Sequence, residues 1–88
     1  MSGPDELMLV TVKFLASYAE EVGEDEVDLM LPPSSSVADL LDQLRHRFPR
    51  WGKMVEQPLV ARNLEYVRPE QVLEDGDEVA FFPPVSGG

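Results

Sequence analysis

The C-terminal segment holds the residues best suited to chemistry in this sequence. An apolar run is followed by Pro83-Pro84 and then by Val85-Ser86-Gly87-Gly88, whose side chains carry no charge. The prolines favour an extended exit from the preceding element, and the segment 83–88 can reach about 20 Å. Glycines lack a Cβ, so they can pass through a narrow channel with an enzyme's backbone close by. A carboxylate on Gly88, once activated by adenylation, becomes an acyl group that can accept sulfur or an amine.

Other catalytic groups are scarce. The chain has no cysteine and a single histidine, His46, which excludes a disulfide scaffold, a thiol nucleophile and thiolate metal sites and argues against structural zinc. Ser34-Ser35-Ser36 has no base to activate a nucleophile, and helix capping explains it. The carboxylates lie in acidic runs at 20–28 and 70–78, which indicates solvated surface rather than paired general acids. We therefore expect no metal site.

The charge balance limits the class of partner. Seventeen acidic against seven basic residues give a net charge of −10, which repels phosphate backbones and anionic lipids. We expect no nucleic acid and no membrane partner, and a protein partner that is basic where it docks. No apolar run reaches the ~20 residues of a membrane span, and the acidic N-terminus is not a secretory signal. The cytoplasm is the expected compartment.

The 88 residues, 43% of them hydrophobic, predict one small α+β domain at 7–84 between a leader at 1–6 and a tail at 85–88. A short helix is expected at about 16–22 and the main helix at about 36–48, where Ser36 and Asp39 resemble a capping box. Pro49 should stop that helix, which leaves a loop at 49–57. Alternating apolar residues predict strands at about 8–15 and 27–31. Short segments between turn residues and prolines predict three more at about 59–63, 64–67 and 78–82. The sheet must be mixed if its first and last strands pair in the middle.

For three aromatic residues, the sequence allows either a place in the core or a place in a protein interface. Phe81 and Phe82 point to opposite faces of the last strand. Because Phe81 shares a face with Val79, we assign Phe81 to the core and Phe82 to a partner interface. Trp51 is expected to cap the helical core, with an interface anchor as the alternative.

Four of the seven basic residues cluster near the end of the main helix. We interpret this cluster as positive charge that stabilises the helix dipole rather than as a basic binding patch. The four residues are Arg45, Arg47, Arg50 and Lys53.

The segment Asp75-Gly-Asp-Glu-Val-Ala-Phe-Phe-Pro-Pro-Val-Ser-Gly-Gly88 resembles the terminal signature of the small-subunit family of molybdopterin synthases. That family consists of ubiquitin-like sulfur carriers with the β-grasp fold, and its members commonly have Thr in place of Ser86. The resemblance implies the same fold here, a mixed sheet packed on the main helix. It also implies that Gly88 is the site of adenylation and of the thiocarboxylate.

The resemblance implies roles for the neighbouring residues as well. Gly87, Ser86 and Val85 would form the tail that enters a partner's channel, while Phe82, Pro83 and Pro84 match positions at the partner contact and channel entrance.

Two protein partners follow from the resemblance. An adenylating enzyme related to ubiquitin-activating enzymes would use ATP to activate Gly88, and this chain itself would bind no cofactor. Sulfur, ultimately from cysteine through a desulfurase, would form the thiocarboxylate. The carrier would then dock on the large synthase subunit, in a heterotetramer, and donate sulfur to cyclic pyranopterin monophosphate. The chain would be a non-catalytic sulfur-donor subunit, with the catalytic residues on the large subunit.

Other functions stay open on the sequence. The same terminus would serve a sulfur carrier for thiamine biosynthesis or tRNA thiolation. It would also serve a ubiquitin-like modifier that is conjugated through Gly88 to target lysines. A binding module with an incidental Gly-Gly end is the remaining alternative.

Overall fold

Five strands and three helices follow one another along residues 6–84, the part of the chain that this computed structural model describes. The predicted leader, apart from Glu6, and the predicted tail lie outside the described residues. The elements are β1 (Met8–Phe14), α1 (Ser17–Val22), β2 (Glu26–Leu31), α2 (Val37–Arg47), α3 (Pro49–Met54), β3 (Leu59–Arg62), β4 (Glu65–Tyr66) and β5 (Glu78–Phe82).

The strands form one mixed sheet in the order β2-β1-β5-β3-β4. In its middle β1 and β5 run parallel, with Val12 opposite Val79. The strands on either side are antiparallel to them: β2 pairs with β1, and β3 pairs with β5. This arrangement confirms the predicted mixed sheet and the ubiquitin-like β-grasp fold that the resemblance implied.

The core lies between one face of the sheet and the helices. Along β1 every second side chain is buried, which is the alternation that predicted the strand. The apolar face of α2 contributes Leu40 and Leu44, both without solvent exposure, to the same cluster. Phe81 is also fully buried, as expected from its shared face with Val79.

Local signals fix the start of α2 and the end of α1. At the start of α2 the Asp39 amide donates to the Ser36 hydroxyl (3.2 Å), and the Asp39 carboxylate accepts from the Ser36 amide (2.9 Å). The predicted capping box is therefore confirmed. At the end of α1, Gly23 adopts the left-handed conformation (φ 86°) and donates to the Ala19 carbonyl, which is the usual role of glycine at this position.

The predicted loop at 49–57 was wrong, because α3 begins immediately after α2 ends. Pro49 stops α2 but also starts α3, since the first helical position needs no N–H donor. A Cβ on Gly52 would lie 2.9 Å from the Cα of Arg45, so glycine allows the two helices to pack closely. Trp51 is completely buried, and its ring meets those of Phe14 and Tyr18 edge-on. It belongs to the core, as expected, and is not an interface anchor.

Two of the basic residues in the cluster have structural contacts. The Arg45 guanidinium donates to the carbonyls of Val55 and Glu56, both at 3.0 Å, and so binds the end of α3. The Arg47 guanidinium lies 5.5 Å from the centre of the Phe48 ring. Both residues lie in the last turn of α2, where a positive charge complements the helix dipole. Among the helices of residues 6–84, none has the length and apolarity needed to cross a membrane.

Candidate docking surface and tail exit

The C-terminal tail leaves from a strand that has neighbours on both sides. At the end of β5 the Leu15 amide donates to the Phe81 carbonyl (3.0 Å), and Phe82 pairs with Leu59 of β3. Both β1 and β3 therefore fix the point from which the tail departs. The position of the last described strand relative to its neighbours is therefore fixed up to Phe82.

Pro83 and Pro84 are the last residues that the structure describes. Pro83 is half-buried and Pro84 is exposed, and Pro84 borders a shallow depression that Tyr18 and Met54 help to line. The predicted tail residues lie outside the described residues, so their roles stay predictions. They are Val85, Ser86, Gly87 and Gly88.

The start of β5 is attached to β1 by a tight turn. The Asp75 carboxylate accepts from the Leu9 amide (2.8 Å), and the Gly76 amide donates to the Leu9 carbonyl (2.7 Å). Gly76 has φ 88°, a left-handed conformation that glycine adopts without a Cβ clash. The first residues of the terminal signature are therefore structural.

Asp77 connects that turn to the hairpin formed by β3 and β4. Its buried carboxylate accepts hydrogen bonds from Arg62 Nε (2.7 Å), Asn63 Nδ2 (3.0 Å) and the Glu74 amide (2.8 Å). Burial works to raise the pKa of Asp77, but these hydrogen bonds outweigh burial and hold the pKa below its usual value. The charged carboxylate fixes the tip of the hairpin against the beginning of β5.

An apolar surface lies on the outer face of the sheet, beside the tail exit. Phe82, half-buried, meets the ring of Tyr66 at a centroid distance of 5.6 Å, and Tyr66 is 72% exposed. Cross-strand pairing places the remaining members on the same face. We define the apolar surface as Leu59, Ala61, Tyr66, Ala80 and Phe82. Because apolar patches with polar borders are typical of protein interaction sites, this surface is the candidate docking site.

A polar band borders the apolar surface on the same face. Lys13 lies opposite Ala80, and its ammonium forms an ion pair with Glu78 at 2.8 Å. The hydrogen bond and charge of Glu78 raise the pKa of Lys13, so this side chain stays protonated. Beyond it, the Thr11 hydroxyl donates to Asp28 (3.0 Å). The band separates the apolar surface from Leu9 and Met30, two exposed apolar residues that pair on the same face.

Sequence reasoning assigned Phe82 to the outer face but missed Tyr66. A strand at 64–67 was predicted, yet its pairing partner was not, so contact between Tyr66 and Phe82 could not be inferred. The predicted strand at 59–63 did not show which of its side chains would lie on the outer face, so Leu59 was missed as well. Within residues 6–84, no group of three metal-ligating side chains is arranged to hold an ion.

The family model described as the ThiS family matches residues 12–88, which is most of the chain. The chain belongs to this family. The molybdopterin synthase sulfur carrier subunit of Chlamydomonas reinhardtii is 37% identical over 83 residues, covering 92% of this chain and 100% of that protein. These matches confirm the resemblance seen in the terminal signature.

Solved structures share the whole fold. The small archaeal modifier protein 1 of H. volcanii superposes with a TM-score of 0.82 at 29% identity, covering 89% of this chain and 99% of that one. A chain in the complex of subunits 1 and 2 of molybdopterin-converting factor from Helicobacter pylori superposes with a TM-score of 0.64 at 21% identity, covering 92% and 100%. A chain with the same fold is thus found in a complex with a partner subunit.

Proposed function

We propose that this chain is the sulfur carrier subunit of a molybdopterin synthase and that it carries sulfur on Gly88. The observation that carries the proposal is the family match that runs from residue 12 through the sheet to Gly88. Its support is the match to a sulfur carrier subunit over that relative's full length. The apolar surface beside the tail exit supplies the contact area that a carrier needs.

Loading takes place at the terminal carboxylate. A carboxylate oxygen of Gly88 attacks the α-phosphate of ATP on an adenylating partner, and pyrophosphate leaves. A persulfide sulfur then displaces AMP from the acyl-adenylate, and a thiol cleaves the resulting acyl disulfide, which leaves a thiocarboxylate on Gly88 and a disulfide on the donor side. The sequence contains no cysteine, and this chemistry requires none, because the sulfur is held by the main chain.

Delivery takes place on a second partner, the large synthase subunit. The apolar surface docks on that subunit, and the segment 83–88 enters its active site, where Gly87 gives clearance. The net charge of −10 favours a basic surface around the contact. Sulfur passes from Gly88 to cyclic pyranopterin monophosphate in the cytoplasm, and the residues that catalyse this transfer lie on the large subunit.

A loading assay tests the proposal. The full chain is incubated with its adenylating enzyme, ATP and a sulfur donor, and the C-terminal peptide is fragmented in a mass spectrometer. Fragmentation is necessary because exchange of oxygen for sulfur resembles the mass change of methionine oxidation, and the chain has four methionines. We expect sulfur on Gly88 and none on a variant that lacks Gly88. Sulfur elsewhere in the chain, or loading of the deletion variant, would reject the proposal.

A protein modifier is the second candidate, and the superposition on small archaeal modifier protein 1 favours it. The same activated Gly88 would then form an isopeptide bond with a lysine of a target protein. Cell extracts should show higher-mass conjugates that vanish when Gly88 is deleted. Extracts that contain only the free chain would leave the sulfur carrier as the sole candidate of the two.

A further inference from the structure

The sheet has a long open edge at β2. Within residues 6–84, β2 is the outermost strand on the β1 side, and β1 is the only strand that pairs with it. It has six residues, whereas β4 at the opposite edge has two. Natural proteins often keep edge strands short, because unpaired main-chain groups invite pairing with another chain. The β2 edge therefore has room for a further extended segment.

The hydrogen-bond pattern shows which residues of β2 face outward. The Phe14 amide donates to the Asp25 carbonyl (2.9 Å), and in an antiparallel pair every second residue repeats such a bond. The odd-numbered residues of β2 are therefore bonded to β1. The main-chain N–H and C=O groups of Glu26, Asp28 and Met30 point away from β1, toward the open edge.

The side chains along this edge are strongly acidic. Four of the five residues from 24 to 28 are exposed carboxylates, namely Glu24, Asp25, Glu26 and Asp28. None of the ion pairs among residues 6–84 involves them. Lys13 lies opposite Glu26 in the register, but its ammonium is bound to another carboxylate in the polar band. The edge therefore attracts positive charge from outside the chain.

The far end of the edge is apolar. Met30 is 50% exposed and pairs with Leu9, which is 42% exposed. On the inner face of the same strand, Leu29 is half-buried. An extended segment beside β2 would thus meet acidic groups at the start of the strand and apolar groups near its end.

A second copy of this chain does not suit the edge. Antiparallel pairing of two β2 strands around Asp28 would place that carboxylate opposite its own copy. Parallel pairing in register would do the same for both Glu26 and Asp28. Like charges directly opposite each other are destabilising in a sheet. A basic segment places a cation beside each carboxylate instead, so charge complementarity favours a basic occupant.

We infer that β2 binds an extended basic segment of a partner protein by strand addition. The outward main-chain groups of β2 form the hydrogen bonds. On the outer face, the segment places cations beside Glu26 and Asp28 and an apolar side chain beside Met30, at every second position. The inference goes beyond the proposed function and does not depend on it, because β2 and the apolar surface lie on opposite sides of the polar band.

Two synthetic peptides serve as probes, one for each strand direction. They are acetyl-Lys-Thr-Lys-Thr-Val-Thr-amide for parallel addition and acetyl-Thr-Val-Thr-Lys-Thr-Lys-amide for antiparallel addition. Each is titrated into the isotope-labelled full chain, and NMR records Kd and amide hydrogen exchange. We expect one of the two to bind and to slow the exchange of the Glu26, Asp28 and Met30 amides.

Peptide controls separate strand addition from simple charge attraction. The binding peptide is N-methylated at every second residue, in two versions that block alternate sets of nitrogens. The version that blocks the nitrogens facing β2 should bind about 10-fold more weakly, because it loses several hydrogen bonds. The other version has the same charge and should bind as the parent does.

Protein variants test the location of the contact. The double variant Glu26→Gln/Asp28→Asn keeps the shape of the edge and should raise Kd about 2- to 10-fold, because two exposed ion pairs are lost. Glu56→Gln/Glu70→Gln makes the same charge change at exposed positions outside β2 and should leave Kd unchanged. Phe82→Ala, in the apolar surface, should leave it unchanged as well.

Three results would overturn the inference. The first is that neither peptide binds. The second is equal binding of the two N-methylated versions, or an equal loss in the two double variants, because charge attraction alone would then explain the contact. The third is loss of binding in Phe82→Ala, which would place the peptide on the apolar surface. None of these results bears on the loading of Gly88.

Discussion

At the scale of single residues, the terminal signature divides into a structural part and a part assigned to transfer. The turn residues Asp75, Gly76 and Asp77 attach β5 to its neighbours. The transfer residues are Gly87 and Gly88, which lie outside the described residues. The dipeptide Asp75-Gly76 is a common turn signal in sequences. The sequence could not identify Asp77 as a buried acceptor, because its donors Arg62 and Asn63 come from a distant hairpin.

Replacing Asp77 by Ala should lower the free energy of unfolding by about 2–4 kcal/mol, because it leaves donors of Arg62 and Asn63 without their buried acceptor. Urea denaturation measures the change. The matched control is Glu78→Ala, which breaks the Lys13 ion pair, where both side chains are about two-fifths exposed (41% and 44%). This control should cost less than about 1 kcal/mol. Equal losses in the two variants would contradict the role given to Asp77.

The same carboxylate makes a pH-dependent contribution. The pKa of Asp77 is lower in the folded chain than its ordinary value of 3.8, so its stabilising effect is complete above pH 3.8 and is lost as the pH falls through the folded pKa. The stability difference between wild type and Asp77→Asn should therefore shrink as the pH is lowered from 7 to below 3.8. Urea titrations at a series of pH values test this, and a difference that grows in acid would refute the assignment.

At the scale of elements, the pattern of apolar residues predicted helices and strands correctly where the pattern was regular. The alternation along β1 and the helical face of α2 predicted both elements to within about a residue at each end, and Ser36 identified the start of α2. The pattern failed at α3, which has six residues with Pro49 first and Gly52 inside. Tertiary packing of Trp51 and Gly52 determines that helix, and such packing leaves no periodic signal.

Gly52→Ala tests the close packing of α2 and α3. The new Cβ would lie 2.9 Å from both the Cα and the Cβ of Arg45, so the helices must separate and the core around Trp51 must loosen. We expect a loss of about 1–3 kcal/mol in thermal or urea denaturation. Lys53→Ala, at an exposed position of the same helix, should change stability by less than about 0.5 kcal/mol. Wild-type stability for Gly52→Ala would show that the helices do not need glycine here.

At the scale of the whole molecule, the last strand lies inside the sheet rather than at its edge. The parallel pairing of β1 with β5 joins the two ends of the domain, and β3 holds β5 from the other side. The sequence predicted the strands and a mixed sheet, but the position of Tyr66 over Phe82 depends on the order β5-β3-β4. That order arises from long-range pairing, which a single sequence does not specify. As a result β5 ends at Phe82 within the apolar surface, between β1 and β3.

The central claim is that Gly88 itself delivers sulfur, and a single-turnover reaction tests it most directly. Purified thiocarboxylated chain is mixed with the large synthase subunit and cyclic pyranopterin monophosphate in the absence of ATP. The C-terminal fragment and the pterin product are followed over time by mass spectrometry. We predict that sulfur leaves Gly88 as the dithiolene of molybdopterin appears, with two chains consumed for each product. Product formation from a chain that lacks Gly88, or a loaded chain that keeps its sulfur, would contradict the account.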